Sequence, residues 1–188
     1  VPGGGGGNVE TARELERLAV FLANLFTITS DVSPPVTPDA DVRVVADETA
    51  SNLILVGGPR ENAATLAIAA YWRQVGHSAT WNANGGLHIG GCEIPSSGVG
   101  ALILGPRPGG GLALVIDGDD AGRRDAIAAG EPTIPPMARS PFSNTLPDYI
   151  VTGPEFAAKG FGGLLAAGFF DYRWRVAPAA SFVALDCP

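Results

Sequence analysis

The residues best placed for nucleophilic catalysis are His77 and Ser78, which are adjacent in Gly76-His77-Ser78-Ala79-Thr80. A hydrolase nucleophile elbow follows Gly-x-Ser-x-Gly, because the serine must sit on a sharp turn between small neighbours. This segment lacks the closing glycine. The chain has only one other histidine, His88, so a Ser/His/Asp triad has few ways to form. The sequence therefore predicts no catalytic residue, with Ser78 and His77 as the least poor candidates.

Two glycine-rich turns could bind an anion, since each precedes a predicted helix and the N-terminus of a helix is electropositive. The weak ligand-binding candidates in these turns are Gly57, Gly58, Arg60, Gly153 and Lys159. Neither turn matches the dinucleotide pattern, and Lys159-Gly160 is not the Gly-Lys-Ser/Thr of a P-loop. A small-ligand or anion-binding domain is therefore one alternative, and no cofactor is predicted.

An acidic cluster, Asp117, Asp119 and Asp120, has the ligand type that hard cations prefer. The loop does not follow the calcium-binding template, since Ala121 interrupts it and no acid falls at the closing position. The pattern is more typical of a strand end followed by a helix cap, with Asp119 or Asp120 as the capping residue. No metal site is predicted.

Aromatic residues concentrate near the C-terminus. Core and sheet-edge packing is the main interpretation, and an exposed platform for a sugar or peptide is the alternative. The residues are Phe161, Phe169, Phe170, Tyr172 and Trp174.

Short apolar runs that end in Gly-Pro or Asp-Gly turns predict buried strands. They cover residues 53–56, 101–104, 112–116 and 149–151. Helical patterns cover residues 11–26, 62–73, 120–129 and 155–170, and Pro59 and Pro154 fit helix entrances. Residues 79–94, with Asn84-Gly85-Gly86 between apolar residues, predict a hairpin. The expected fold is α/β, with a mixed, partly parallel sheet flanked by helices and one hairpin.

The predicted organisation is a flexible glycine-rich lead, residues 1–8, and a single α/β domain, residues 9–188. Within the domain, residues 9–30 form the N-terminal helix and residues 31–41 a proline-rich loop. Further proline-rich loops are expected at 105–111 and 131–147.

The charge pattern and the length of the apolar stretches exclude two classes of partner. The 188 residues contain 19 acidic and 12 basic side chains, a formal net charge of −7. A nucleic-acid-binding surface needs clustered basic residues, and here eleven arginines and Lys159 are scattered along the chain. The apolar stretch 18–28 is too short to span a bilayer. Neither nucleic acid nor a membrane is an expected partner.

Three runs carry a resemblance to a known family. They are Asn52-Leu-Ile-Leu-Val-Gly-Gly-Pro, Gly100-Ala-Leu-Ile-Leu-Gly-Pro and Pro147-Asp-Tyr-Ile-Val-Thr-Gly-Pro-Glu, followed by the closing stretch 159–174. Together they resemble the C-terminal region of large secreted fungal hydrolase-like proteins, which carry a prolyl-oligopeptidase-type α/β-hydrolase domain upstream. The resemblance spans roughly residues 41–184, and no catalytic residue of that family falls inside it. It implies a secreted, non-catalytic accessory domain for docking, interdomain packing or substrate positioning. The implied partner is an upstream hydrolase-like domain or fragment of the same precursor.

The two cysteines, Cys92 and Cys187, are too far apart for a CxxC motif, and the sequence places no complete set of cysteine and histidine ligands for zinc around them at a suitable spacing. From the residues alone they are either two free thiols or one disulfide. The resemblance to secreted proteins and the even count predict the disulfide. A hydrolase with an unrecognised site remains a further alternative for the function.

Overall fold

The fold is taken from a computed structural model, which describes residues 1–4, 8–44, 51–130, 146–185 and 187. Within these ranges the helices are α1 (Val9–Ser30), α2 (Ala63–Val75), α3 (Asp120–Gly130) and α4 (Phe156–Lys159). The strands are β1 (Leu53–Val56), β2 (Ala79–Trp81), β3 (Leu87–Ile89), β4 (Cys92–Glu93), β5 (Gly100–Pro106), β6 (Leu112–Gly118), β7 (Tyr149–Thr152), β8 (Leu164–Phe170) and β9 (Val176–Val183). None of these helices is both long and apolar enough to cross a bilayer.

The main sheet has six strands in the order β1-β6-β5-β7-β8-β9. β1 and β6 are parallel, and every other neighbouring pair in this sheet is antiparallel. A second, antiparallel sheet contains β2, β3 and β4. The predicted α/β class is confirmed: the sheet is mixed and partly parallel, and it is accompanied by helices and a hairpin.

The two faces of the main sheet bury different sets of side chains, because successive residues of a strand point to opposite sides. Leu102 of β5 lies in the apolar cluster beneath α1 and α3, whereas its neighbour Ile103 lies in the cluster beneath α2. The small sheet packs into the α2 cluster through Trp81. The main sheet is therefore covered on both faces, as its continuous apolar strand sequences require.

Two asparagines begin the first two helices. The side-chain oxygen of Asn8 accepts a hydrogen bond from the Glu10 amide, and that of Asn62 accepts one from the Thr65 amide. α1 spans the predicted residues 9–30. Pro59 is not at a helix entrance: it lies in a turn, and α2 begins four residues later at Ala63.

The prediction of one helix over residues 155–170 is wrong. α4 has only four residues and ends at Lys159, directly before Gly160, whose φ of 56° is a conformation that glycine adopts readily. A 3₁₀ turn, Gly160–Gly163, leads into β8, which pairs with β7. Leucine and alanine in β8 favour a helix in isolation, but pairing along β7 overrides that preference.

A disulfide joins Cys92 of β4 to Cys187, with their Cα atoms 5.0 Å apart. This is the predicted pairing. The bond ties the segment after β9 to the small sheet. In the chain-entropy model, closing a loop over a sequence separation of 95 stabilises the fold by about 4.7 kcal/mol.

Gly100→Ala tests the close contact between β5 and α3. A Cβ on Gly100 lies 1.7 Å from the carbonyl oxygen of Gly122, so the helix must move away from the sheet. We expect a loss of about 2–3 kcal/mol in the free energy of unfolding, measured by urea denaturation. Gly162→Ala is the control, because its Cβ meets nothing nearer than 3.8 Å, and we expect a change within about 0.5 kcal/mol. Equal stability of the two variants contradicts the contact.

Candidate functional site

The carboxyl ends of β1 and β6 meet at one edge of the main sheet, where Val56 pairs with Ile116. The loop after β1, residues 57–62, and the end of β6 with the residue that follows it, 118–119, therefore lie side by side and lead into α2 and α3. In open α/β sheets, ligands bind in the crevice outside the carboxyl ends of the strands. This edge is the expected place for a site.

A cleft of about 930 Å³ lies at this edge, and we call it the sheet-edge cleft. Its volume falls within the range of small-molecule sites. One wall is the pair of loops after β1 and β6, and the opposite walls are the β2–β3 turn and the segment between β4 and β5. The lining includes Asn8, Thr11, Gly58, Pro59, Arg60, Glu61, Asn82, Asn84, Gly85, Gly86, Leu87, Glu93, Ile94, Pro95, Ser96, Val99, Gly100, Ala101, Asp117, Gly118 and Asp119.

Asp117, the carboxyl group at the end of β6, lies at the inner part of this cleft. One carboxyl oxygen accepts a hydrogen bond from Trp81 Nε1 at 2.6 Å, and the other accepts one from the Gly118 amide at 2.7 Å. Gly58 packs so closely that a Cβ there would lie 2.3 Å from the carboxylate. Desolvation raises the pKa of Asp117, against the lowering effects of Trp81, Gly118 and Arg123. The protein thus keeps a partly desolvated carboxyl group facing a ligand-sized cleft.

Arg123 of α3 holds the two loops of this wall together. Its side chain is 1% exposed and pairs with Glu61 at 2.8 Å and with Asp120. It also donates to the Gly118 carbonyl. Desolvation raises the pKa of Glu61, and the nearby Arg123 opposes that shift. Because one buried cation bonds to both loops, the wall has a fixed shape.

Three of the predicted ligand-binding residues meet at the sheet edge. The Gly57 amide is already used, donating to the Ile116 carbonyl at 2.9 Å. Gly58 and Arg60 line the cleft, and Arg60 reaches the Asn84 carbonyl at 3.4 Å. The structure thus brings these three residues together at the cleft, with the Gly57 amide already bonded to β6.

Two of the amide donors at the start of α2 are occupied by the chain's own side chains. Asp39 accepts from the Ala63 amide at 2.7 Å, and Asn62 accepts from the Thr65 amide at 3.0 Å. An added anion at this helix N-terminus has to displace a carboxylate. Anion binding here stays a prediction that this geometry does not favour.

The other two predicted residues lie elsewhere. Gly153 follows β7, three strand positions from β1, or about 14 Å along the edge at the usual strand spacing. Its amide donates to the Gly163 carbonyl at 2.9 Å. Lys159 pairs with Glu155 at 2.7 Å on the short helix α4. Neither residue lines the cleft.

His77 and Ser78 have structural partners. The His77 ring is stacked on Trp72, 4.3 Å between centroids. Its Nδ1 accepts from the Ala79 amide at 2.9 Å, so Nε2 carries the hydrogen and donates to the Leu104 carbonyl at 3.2 Å. Ser78 Oγ accepts from the Val176 amide at 3.0 Å. Both ring nitrogens are engaged by the backbone, which leaves His77 no free position as the base for Ser78.

The C-terminal aromatic residues divide into two groups. Phe170 and Trp174 pack with His77, and Phe170 also packs on Tyr149 at 5.1 Å. Phe161 and Tyr172 are exposed. Core packing therefore accounts for part of the cluster.

The aspartates of the acidic cluster have the strand-end and capping roles that the sequence indicates. Asp119 accepts from the Gly122 amide at 2.8 Å and from the Gly98 amide at 2.6 Å. Within the described ranges, no three His, Cys, Asp or Glu side chains are arranged to hold a metal ion.

Sequence reasoning missed Asp117 as a cleft residue and Glu61 with Arg123 as a buried pair. The sequence did contain an indication for Asp117, because this residue directly follows the apolar run 112–116 that predicts a buried strand.

Comparison with known proteins gives one partial relative. An uncharacterized secreted protein of Arthroderma benhamiae is 36% identical over 87 residues, which are 46% of this chain and 8% of the relative. The chain thus matches a small part of a much longer protein. No protein-family model and no solved structure matches. The secreted relative and the disulfide both fit an extracellular location.

The pH dependence of stability tests the role of His77. Burial lowers its pKa from 6.5 to about 4, against the raising effect of its backbone hydrogen bonds. Below pH 6.5 the unfolded chain binds a proton that the folded ring does not, so this contribution to stability is lost as pH falls from 6.5 to 4. The loss amounts to about 3 kcal/mol.

The measurement is the free energy of unfolding at pH 7 and at pH 4.5, for the wild type and for His77→Gln. The raised pKa values of Asp117 and Glu61 act in the opposite direction, but they are common to both proteins and cancel in the difference. The stability difference between the two proteins should shrink towards acid pH. A difference independent of pH contradicts a buried, neutral His77.

Proposed function

We propose that this chain is a non-catalytic accessory module of a larger secreted protein, and that it binds a ligand in the sheet-edge cleft. The observation that carries this proposal is the cleft itself. It has the size of a ligand site, lies outside the carboxyl ends of the parallel strands, and contains a partly desolvated carboxyl group in a wall fixed by Arg123.

The length of the secreted relative supports an accessory role for this chain. The aligned segment is 8% of that secreted protein, so such a domain accounts for a small part of a long polypeptide. The resemblance to the C-terminal region of hydrolase-like proteins suggests that an upstream domain supplies the catalysis. In that arrangement the module positions the substrate or docks on its neighbour.

The outer face of α1 is the surface we propose for that neighbour. Val20, Phe21 and Ile28 are 43%, 47% and 80% exposed, although they are apolar. No charged residue occurs between Leu18 and Ser30. Exposed apolar patches of this kind mark interaction surfaces. The occupant we propose is the upstream domain of the same precursor.

The rival hypothesis, an independent hydrolase, has a direct test. The purified chain should hydrolyse p-nitrophenyl acetate no faster than buffer alone, because nucleophilic catalysis needs a free base beside the serine and His77, next to Ser78, is engaged at both nitrogens. Turnover that Ser78→Ala abolishes contradicts the non-catalytic proposal.

Binding in the cleft can be tested by amide chemical-shift mapping. With a library of small polar molecules, at least one compound should shift the amides of Gly58, Gly85 and Gly118 together, since they lie around one cleft. Gly110, in the β5–β6 loop at the opposite end of β6, is the internal control. A library that leaves the cleft amides unshifted, or that shifts only residues elsewhere, contradicts the proposal.

A further inference from the structure

We propose that the ligand of the sheet-edge cleft is an uncharged molecule rich in hydroxyl groups, a saccharide, rather than an anion or a cation. This inference rests on the proposed binding function and goes further by naming the ligand class. It follows from the partners that the charged groups of the cleft already have and from the hydrogen-bonding groups that remain available.

An anion is disfavoured by the charges of the lining. Four acidic residues line the cleft against one arginine, Arg60; the acids are Glu61, Glu93, Asp117 and Asp119. Three backbone amides beside the cleft are occupied by its own carboxylates as well, those of Gly98 and Gly122 by Asp119 and that of Gly118 by Asp117.

A cation is disfavoured because three of these acids already have partners in the protein. Glu61 pairs with the buried Arg123 at 2.8 Å. Asp119 accepts two backbone hydrogen bonds at the start of α3, where the helix dipole also favours a negative charge. Asp117 accepts from Trp81 and Gly118, and desolvation raises its pKa, which favours the uncharged acid.

Two lining residues of opposite charge have no charged partner in the protein. Glu93 is exposed at the rim, and Arg60 carries the opposite charge on the facing wall. Neither residue takes part in an ion pair among the described residues. Together these two residues give the rim no net charge that would select a ligand of either sign.

The groups left for a ligand are both donors and acceptors. Asn84 and Ser96 line the rim with an amide and a hydroxyl, and Asn82 keeps its NH₂ group because its oxygen accepts from the Asn84 and Gly86 amides. A hydroxyl donates one hydrogen bond and accepts two, so it can pair with either kind of group. A ligand with many hydroxyls matches this mixed lining.

The same cleft also offers apolar contact. Pro59 and Pro95 lie in its lining beside the polar groups, and their rings are half-buried and exposed, respectively. Saccharide rings carry C–H surfaces between their hydroxyls, and such surfaces can pack on these side chains. At about 930 Å³ the cleft is sized for an oligosaccharide rather than a single ion.

The experiment is isothermal titration calorimetry of the full chain with neutral trisaccharides: cellotriose, laminaritriose, mannotriose and the fully N-acetylated chitotriose. Inorganic phosphate and spermidine are titrated as the anionic and cationic probes. We expect at least one trisaccharide to bind with a Kd below about 1 mM. Its affinity should be the same at low and high salt, because an uncharged ligand makes no screened charge interaction.

Variants at the rim locate the binding. Asn84→Ala and Ser96→Ala leave the core untouched and should each weaken trisaccharide binding about fivefold or more, the effect of losing one hydrogen bond. Glu155→Gln is the control; it is exposed on α4, outside the cleft, and should leave affinity unchanged. Saccharide binding that both rim variants retain in full overturns the assignment to this cleft.

The two proposals fail in different ways. If phosphate or spermidine shifts the cleft amides and no trisaccharide binds, the ligand class is wrong and the binding function stands. If no probe of any class binds and the chemical shifts of the cleft amides do not change in the library screen, the proposed binding function itself is wrong.

Discussion

β1 and β6 run side by side in the same direction, from Leu53 opposite Ala113 to Val56 opposite Ile116. This pairing determines where the polar side chains at the ends of the two strands come together. Both strands end at the same edge, so residues 57–62 and 118–119 must share one space before their helices begin. Had β6 run antiparallel to β1, Asp117 would lie at the far end of the sheet from Gly58. The cleft, its carboxyl group and its arginine-bound wall all depend on that one parallel contact.

Buried charge is the second constraint at this edge. Arg123 is almost fully enclosed, and removing an arginine from water costs several kcal/mol unless partners compensate. Glu61 in the loop after β1, the Gly118 carbonyl at the end of β6 and Asp120 in the first turn of α3 supply that compensation. The cost is recovered only when all three groups are in place. The bonds of Arg123 therefore favour one arrangement of the cleft wall over alternatives that pack equally well. In this way a polar surface loop can keep a defined shape.

Much of the fold was predictable because local patterns reflect it directly. The run Leu53 to Val56 is uninterrupted, apolar and closed by glycine, and it is a strand in the structure. β8 was not predictable in this way, since Leu-Leu-Ala-Ala suits a helix equally well and only pairing with β7 decides. β9 contains Pro178 and three alanines, which weaken any strand signal.

The cleft was harder still to predict, because its walls come from distant parts of the chain. Asp117 and Trp81 are 36 residues apart, and Arg123 and Glu61 are 62 apart. No spacing rule connects such residues. The predicted turn at Gly58 and Arg60 did fall on the cleft, whereas Gly153 and Lys159 did not, because an electropositive helix start describes many loops and only the sheet order selects among them.

The disulfide between Cys92 and Cys187 makes a covalent ring out of the C-terminal half of the chain. β5, β6, β7, β8 and β9 all lie within this ring, whereas α1, β1 and α2 lie on the open arm that precedes it. A protease that cuts one peptide bond inside the ring opens it without releasing a fragment. The nicked molecule keeps its mass until a reductant breaks the bond, so in an oxidising medium rich in proteases the central strands survive a first cleavage as one covalent unit.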